Sequence, residues 1–340
     1  MSEFTVDNIQ LKTSDIISDK LDILSSPKNY RVYFTKFDKQ LGKNDFLLVD
    51  RNIQLLYGIN HNNQFVIDAI ENNKNIETTL KVCEWLCENK FNKGHKLYVV
   101  GGGITQDIGA FVGSIYKRGI NWIYVPTTLL SQCDSCIGGK TALNFHGAKN
   151  QLALFSAPSE VIIDTNFLNS LSQQDIINGM GEIIKFFIIG GNRYLENLDT
   201  YTIHEQIFHG LSIKKAVIEY DEFEINIRKC LNYGHSFGHA IEAATNYSIP
   251  HGEAVLLGIE VINQIFTNID HISRIICKYT SLEKIRNIKA STIISLLRED
   301  KKVKLDNITF VVASKPGTTD FVTTKLNESF TQKLYDIFIN

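Results

Sequence analysis

The sequence predicts an α/β N-terminal domain of Rossmann-like form, with a mostly parallel sheet, followed by a mainly α-helical C-terminal domain. Three observations carry this. Buried-strand and amphipathic-helix patterns alternate through the first half, the order that builds a parallel sheet with helices on both faces. A glycine turn, Gly101-Gly102-Gly103, joins one such strand to a helical stretch. From about Asp164 onward the patterns are nearly all helical. A chain of 340 residues exceeds one compact core and is expected to split in two. The simplest cut lies near Leu171, giving domains at 1–170 and 171–340.

In chain order, Arg31-Val32-Tyr33-Phe34 and Phe46-Leu47-Leu48-Val49 read as buried strands. Glu77 to Glu88 reads as a helix, with Leu80, Val82, Cys83, Leu86 and Cys87 on its apolar face. Lys96-Leu97-Tyr98-Val99-Val100, Trp122-Ile123-Tyr124-Val125 and Val161-Ile162-Ile163 are further strands. Ser172-Gln173-Gln174-Asp175 forms a capping box that opens a helix to about Ile188. Helices follow at roughly 203–219, 228–245, 252–268, 271–280 and 290–298, and a short strand at 308–312.

Composition narrows the classes. A formal net charge of -2 gives no electrostatic footprint for nucleic acid. No apolar run is long enough to span a bilayer, and Met1-Ser2-Glu3-Phe4-Thr5 lacks the basic-then-apolar pattern of a signal peptide. A cytoplasmic setting is expected, with the six cysteines as thiols. Cys133 and Cys136 form a lone CxxC with no second pair to complete a zinc ribbon.

Three segments carry candidate chemistry. The glycine turn lets backbone N–H groups approach a phosphate at a helix N-terminus, although Gln106 stands where the third Gly of GxGxxG belongs. The segment Pro126 to Thr141 follows a strand and is rich in hydroxyls, with Asp134 and Lys140. Its Gly138-Gly139-Lys140-Thr141 falls short of a triphosphate loop because position 134 is not Gly. Lys140, Lys149 and Lys185 suit a phosphorylated sugar better. The third segment is 228–242. If it is one helix, Arg228, Asn232, His235, His239 and Glu242 share a narrow stripe. The rest of that wheel is apolar or small, so the stripe would be buried and would need partners. Either stripe histidine, with His251 and with Glu182 on the capped helix, makes a His/carboxylate metal site. No Glu follows His235, so the HExxH metalloprotease motif is absent. Gly179 and Gly181 beside Glu182 would let another element pack closely.

Together these segments resemble the dehydroquinate synthase family of sugar-phosphate cyclases, from about Asp50 to Lys302. The matching pieces are GGGITQD at 101–107, YKRG at 116–119, PTTLLSQCDSCIGGKTALN at 126–144, KN at 149–150 and IIDTNFLNSLS at 162–172. They continue with GMGEIIK at 179–185, DEFEINIRKCLNYGHSFGHAIE at 221–242, HGEAV at 251–255 and DKK at 300–302. The resemblance implies Glu182, His235 and His251 as ligands of one divalent ion, Zn2+ or Co2+. It implies an NAD+ neighbourhood of Asp50, Glu71, Lys74, Gly102, Gly103, Asp107, Thr127, Thr128, Lys140, Lys149, Phe167 and Ser170. It implies a substrate set of Arg118, Asp134, Lys140, Asn150, Lys185, Lys214, Arg228, Asn232 and His239, with one of Lys301 and Lys302. Arg118 is similar to a residue donated by a neighbouring subunit, hence an expected homodimer. Departures from the family pattern are Gln106 for Gly, Asn144-Phe145-His146-Gly147-Ala148-Lys149-Asn150 for Asn-His-Pro-Leu-Gly-Lys-Asn, and Ser170-Leu171-Ser172 for Thr-Leu-Pro.

The activity so implied is a phosphate-eliminating lyase of the shikimate pathway. It would convert 3-deoxy-D-arabino-heptulosonate 7-phosphate to 3-dehydroquinate and phosphate by transient NAD+ oxidation, elimination, reduction and intramolecular aldol closure. Lys214, Arg228 and Asn232 would clamp the substrate carboxylate. Two alternatives are a sister cyclase, such as an amino-dehydroquinate synthase, and a metal-dependent polyol dehydrogenase.

Overall fold

The computed structural model describes residues 1–38, 41–299 and 306–339. In order the elements are β1 (Ser2–Val6), β2 (Ile9–Thr13), β3 (Lys20–Ile23), β4 (Tyr30–Phe34), β5 (Phe46–Asp50), α1 (Arg51–Tyr57), β6 (Gln64–Ile67) and α2 (Ile76–Glu88). Then come β7 (Leu97–Gly101), α3 (Gly103–Ile115), β8 (Trp122–Pro126), β9 (Lys140–Phe145), β10 (Ala148–Phe155), β11 (Glu160–Ile163) and α4 (Gln173–Gly190). The remainder is α5 (Asn192–Glu196), α6 (Ile203–Tyr220), α7 (His235–Ala244), α8 (His251–Phe266), α9 (Asp270–Ile276), α10 (Ala290–Arg298), β12 (Asn307–Lys315), β13 (Thr318–Lys325) and α11 (Glu328–Leu334).

The chain divides into two compact units, one of Ile17–Asp175 and one of Met1–Ile16 with Ile176–Asn340. In the first, seven strands run in the order β3-β4-β11-β8-β7-β5-β6. Every neighbouring pair is parallel except β3, which lies antiparallel on β4. Central strands are continuous apolar runs because both sheet faces are covered. Leu47, Leu48 and Val49 of β5, and Val99 and Val100 of β7, are fully buried, each contributing about 1.5–3 kcal/mol relative to exposure. The predicted Rossmann-like sheet is present. The short edge strands β3 and β6 were not predicted; β3 alternates exposed and buried residues over only four positions.

Helix α4, most of which belongs to the second unit, is opened by the predicted cap, the Ser172 hydroxyl accepting from Asp175 N at 3.1 Å. From Gly179 to Gly190 every residue of α4 is buried, as befits a helix apolar on all sides. Three features differ from the sequence expectation or add to it. The first sixteen residues do not belong with the Rossmann-like unit. β1 pairs in parallel with β13 and antiparallel with β2, completing a sheet β12-β13-β1-β2. A strand from the chain's start covers an edge that β13 would otherwise leave open. The division therefore falls at 175/176 with a discontinuous second unit, instead of a single cut at 170/171. Second, the segment 228–245 is not one helix. A 3-10 turn, Ile227–Asn232, ends at Tyr233 in an extended conformation, and Gly234 takes φ 80 before α7 begins. A Cβ on Gly234 would lie 2.5 Å from the Val255 carbonyl oxygen, so packing against α8 requires glycine there. Arg228 and Asn232 thus do not share a helix stripe with His235. Third, 140–155 is a β9–β10 hairpin, and the second half carries β13 besides the expected strand.

Among the described residues no helix is long and apolar enough to cross a membrane. Cys133 and Cys136 are buried thiols whose Sγ atoms contact the Leu130 and Gln132 carbonyls at 3.7 and 3.3 Å.

Candidate active site

In the Ile17–Asp175 unit, β7 ends at Gly101 and α3 starts at Gly103 with no side-chain cap, so its first N–H groups remain available to a phosphate. Asp50, Gly102, Thr127 and Thr128 stand at or just beyond the carboxyl ends of the parallel strands β5, β7 and β8, where such sheets bind ligands. A Cβ on Gly102 would touch Thr128 Cγ2 at 3.0 Å. Thr127 N donates to Gly101 O at 3.1 Å, and Thr128 Oγ1 to Ser131 Oγ at 2.8 Å. Asp50 caps α1 through Asn52 N at 2.9 Å, and burial raises its carboxyl above the usual range. Phe167 stacks edge-on against Tyr57, whose hydroxyl donates to Ser170 Oγ at 2.8 Å. Nothing in the spacing pointed to Tyr57.

Lys74 joins several predicted residues into one network. Its Nζ lies 2.7 Å from Asn150 Oδ1, 3.2 Å from Asp107 and 3.8 Å from Glu71. Asp107 also accepts from Thr141 Oγ1 at 3.0 Å. Burial raises its carboxyl, and Lys74 offsets only part of that. Asp134 sits half-buried on a π-turn, Ser131–Ser135. Gln106 holds that turn at both ends of its amide: Nε2 donates to Ser135 O at 2.7 Å, and Oε1 accepts from Ser135 Oγ at 2.5 Å. Arg118, Lys140 and Lys149 present exposed side chains.

The second unit builds the metal candidate. Glu182 on α4, His235 at the start of α7 and His251 at the start of α8 bring their ligand atoms within 4.8 Å of one another. Close helix contact makes this possible. A Cβ on Gly181 would lie 2.1 Å from Gly252 O, and one on Gly252 would lie 1.8 Å from Asn178 O. Gly252→Ala is therefore expected to cost at least about 1–3 kcal/mol by overpacking. The thermal midpoint should fall by several degrees in calorimetry; an unchanged midpoint would show that α4 and α8 separate freely.

The donor chemistry fits a divalent ion. Both oxygens of Glu182 are buried without a hydrogen bond of ordinary geometry, while the Lys185 ammonium lies against one of them. His235 Nδ1 faces the Tyr233 carbonyl at 3.1 Å, and His251 Nδ1 faces Glu242 Oε2 at 3.2 Å. Each Nδ1 thus carries hydrogen, and both Nε2 atoms face Glu182 Oε1, at 3.6 and 3.5 Å. Ligand atoms of a tetrahedral zinc site, with bonds of about 2.0–2.2 Å, stand about 3.3–3.6 Å apart. Electrostatics agree. Burial works to raise Glu182, but Lys185 and His251 hold it down to about 2. Burial works to lower His251, but hydrogen bonds to Glu182 and Glu242 raise it to about 10. Burial and the neighbouring Lys185 push His235 well below its usual value.

His239, exposed, lies one turn after His235, with ring centroids 5.5 Å apart. Lys185, Lys214 and Arg228 are buried cations. Asp221 shapes the 3-10 turn by accepting from Ile225 N, Asn226 N and Arg228 N at 2.9, 2.8 and 2.9 Å. Asn232 donates to Glu224 Oε1 at 2.6 Å. Lys301 and Lys302 lie outside the described residues.

Two family profiles match in tandem: 3-dehydroquinate synthase N-terminal over residues 64–178 and 3-dehydroquinate synthase C-terminal over residues 179–303. The 3-dehydroquinate synthase of Pelagibacter ubique is 38% identical over 301 residues, covering 80% of this chain and 79% of the relative. That of Alkaliphilus metalliredigens is 33% identical over 339 residues, covering 89% and 95%. Among solved structures, 2-deoxy-scyllo-inosose synthase complexed with carbaglucose-6-phosphate, NAD+ and Co2+ has a TM-score of 0.80 at 20% identity, covering 94% of this chain and 99% of that one. The 2-epi-5-epi-valiolone synthase of Streptomyces hygroscopicus, with NAD+ and Zn2+ bound, has a TM-score of 0.71 at 22% identity, covering 86% and 89%. The fold is thus that of the sugar-phosphate cyclases. Within that class, the chain belongs to the 3-dehydroquinate synthase family.

Proposed function

We propose that this chain converts 3-deoxy-D-arabino-heptulosonate 7-phosphate to 3-dehydroquinate and phosphate, using NAD+ and one divalent ion. The observation that carries the reading is the Glu182/His235/His251 cluster, with both Nε2 atoms turned on one buried carboxylate. When bound, NAD+ accepts and returns a hydride and the ion polarises substrate oxygens as a Lewis acid. NAD+ falls to Asp50, Glu71, Lys74, Gly102, Gly103, Asp107, Thr127, Thr128, Lys140, Lys149, Phe167 and Ser170. Of these, Gly102 and Gly103 present the free N-terminus of α3 to the pyrophosphate.

The remaining roles belong to ionisable side chains. Lys214 and Arg228 neutralise the substrate carboxylate, and Asn232 adds a neutral donor. Lys140, Asn150 and Arg118 serve the phosphate and the sugar hydroxyls. His239 exchanges protons with substrate. Lys185, buried beside Glu182, keeps the ligand carboxylate ionised and supplies positive charge next to the ion. A homodimer with Arg118 donated between subunits completes the reading, and sedimentation of the purified chain checks that part.

Incubation with the heptulosonate phosphate and catalytic NAD+ should release phosphate and form the carbocycle, with no net NADH. NADH accumulating in step with product would instead establish a polyol dehydrogenase. Efficient turnover of glucose 6-phosphate, which lacks a carboxylate, would establish a sister cyclase.

A further inference from the structure

The two histidines of the cluster are held from behind by different groups. His235 Nδ1 meets a neutral backbone carbonyl, that of Tyr233, at 3.1 Å. His251 Nδ1 meets a carboxylate, Glu242 Oε2, at 3.2 Å. Glu242 is nearly buried, at 13% side-chain exposure, and stands on α7 seven residues beyond His235. One helix therefore carries both a ligand and the support of the ligand on the next helix.

We propose that Glu242 is the positioning residue of the metal site. It accepts the His251 Nδ1–H, fixes the tautomer that aims the Nε2 lone pair at the ion, and strengthens that donation through its charge. This rests on the metal reading above. A second grouping, His239 with Glu242 and His251, also has its ligand atoms within 4.8 Å, and it would make Glu242 a ligand. Chemistry disfavours that arrangement. A neutral imidazole has one N–H and one lone pair, so His251 could serve two ions only as an imidazolate, having lost that N–H proton. With Nε2 facing Glu182, Nδ1 must donate, and Glu242 is its acceptor. A carboxylate behind a metal-bound histidine is worth about 10–100-fold in metal affinity.

The test uses the full chain stripped with chelator, then titrated with Zn2+ against a chromophoric competitor, and separately with Co2+ while its visible spectrum is recorded. The wild type should bind one ion. Glu242→Ala should raise the Zn2+ Kd about 10–100-fold and alter the Co2+ bands. Glu242→Gln keeps an acceptor oxygen without the charge and should fall between; being isosteric, it carries the test alone if the Ala variant fails to fold. Variants with wild-type Kd and Co2+ spectrum would overturn the proposal while leaving the metal reading intact. Two ions per wild-type chain, dropping to one in both variants, would overturn it by making Glu242 a ligand. A wild type that binds no ion would defeat the metal reading and this proposal together.

Discussion

Glu182→Gln should leave the purified chain without its divalent ion and lower turnover by about two to four orders of magnitude. The substitution preserves shape, removes the charge and turns one acceptor oxygen into an NH2 donor. Glu182 is fully buried, and its carboxylate is the anionic member of the proposed ligand trio. It is also the counter-charge of Lys185, itself only 2% exposed. Removing one partner of a buried pair costs about 3–5 kcal/mol, and each 1.4 kcal/mol is about tenfold in rate. Loss of fold and loss of ligand separate cleanly in a double variant. Glu182→Gln with Lys185→Met removes the stranded ammonium, so the thermal midpoint should recover while metal content stays near zero. Elemental analysis and calorimetry read the two effects. A single Gln variant retaining a stoichiometric ion and full turnover would sink the assignment of Glu182.

Some of this site was legible in the sequence for physical reasons. The strands of the seven-stranded sheet are continuous apolar runs because both faces are covered, and such runs announce themselves. The Ser172 cap and the small residues around Glu182 were equally plain, and Gly181 does admit the backbone of Gly252. Periodicity failed at Tyr233-Gly234. Apolar residues continue across the break, so the helical pattern looks unbroken; only the close approach of Val255 and Ile259 to Gly234 shows why it is not. The hairpin 140–155 was obscured because β10 is exposed over its first four residues and alternates only from Leu152 onward, too short a stretch to announce a strand. Placement of β1 beside β13 is a pairing between the two ends of the chain, which no local pattern encodes. Glu242 was visible as a polar residue on the right helix, but its role depends on where α8 delivers His251.

Gln106 shows how a departure from the family pattern can be absorbed. A side chain at a position usually occupied by glycine needs both space and partners. Here its amide meets both polar groups of Ser135, so a buried carboxamide is satisfied at each end. The turn that carries Asp134 is thereby tied to α3.

Arg228→Ala should lower catalytic efficiency on the heptulosonate phosphate by roughly a hundredfold to a few thousandfold, with metal content unchanged. The break at Gly234 changes the reason for expecting this. Arg228 is placed by the 3-10 turn Ile227–Asn232, not by the helix that carries His235. Its backbone N–H is one of three gathered by Asp221, whose carboxyl burial would raise but those N–H groups hold below its usual value. Arg228 is 2% exposed, and one guanidinium nitrogen donates to the Glu222 carbonyl. The guanidinium is thus positioned by an anchored turn that is independent of the metal ligands. A planar guanidinium matches a carboxylate through paired hydrogen bonds, which a lysine cannot reproduce, so Arg228→Lys should recover only part of the loss. Stranding one charge of a desolvated pair costs about 3–5 kcal/mol, and about 1.4 kcal/mol is tenfold in rate. Because Asp221 grips the backbone of residue 228, the turn should survive the loss of the side chain, and near-ultraviolet circular dichroism checks that it does. Steady-state kinetics on the heptulosonate phosphate, with glucose 6-phosphate as the substrate lacking a carboxylate, decide the matter. Arg228→Ala with undiminished activity on the heptulosonate, or a wild type that cyclises glucose 6-phosphate efficiently, would overturn the carboxylate clamp and move the substrate to a sugar phosphate without one.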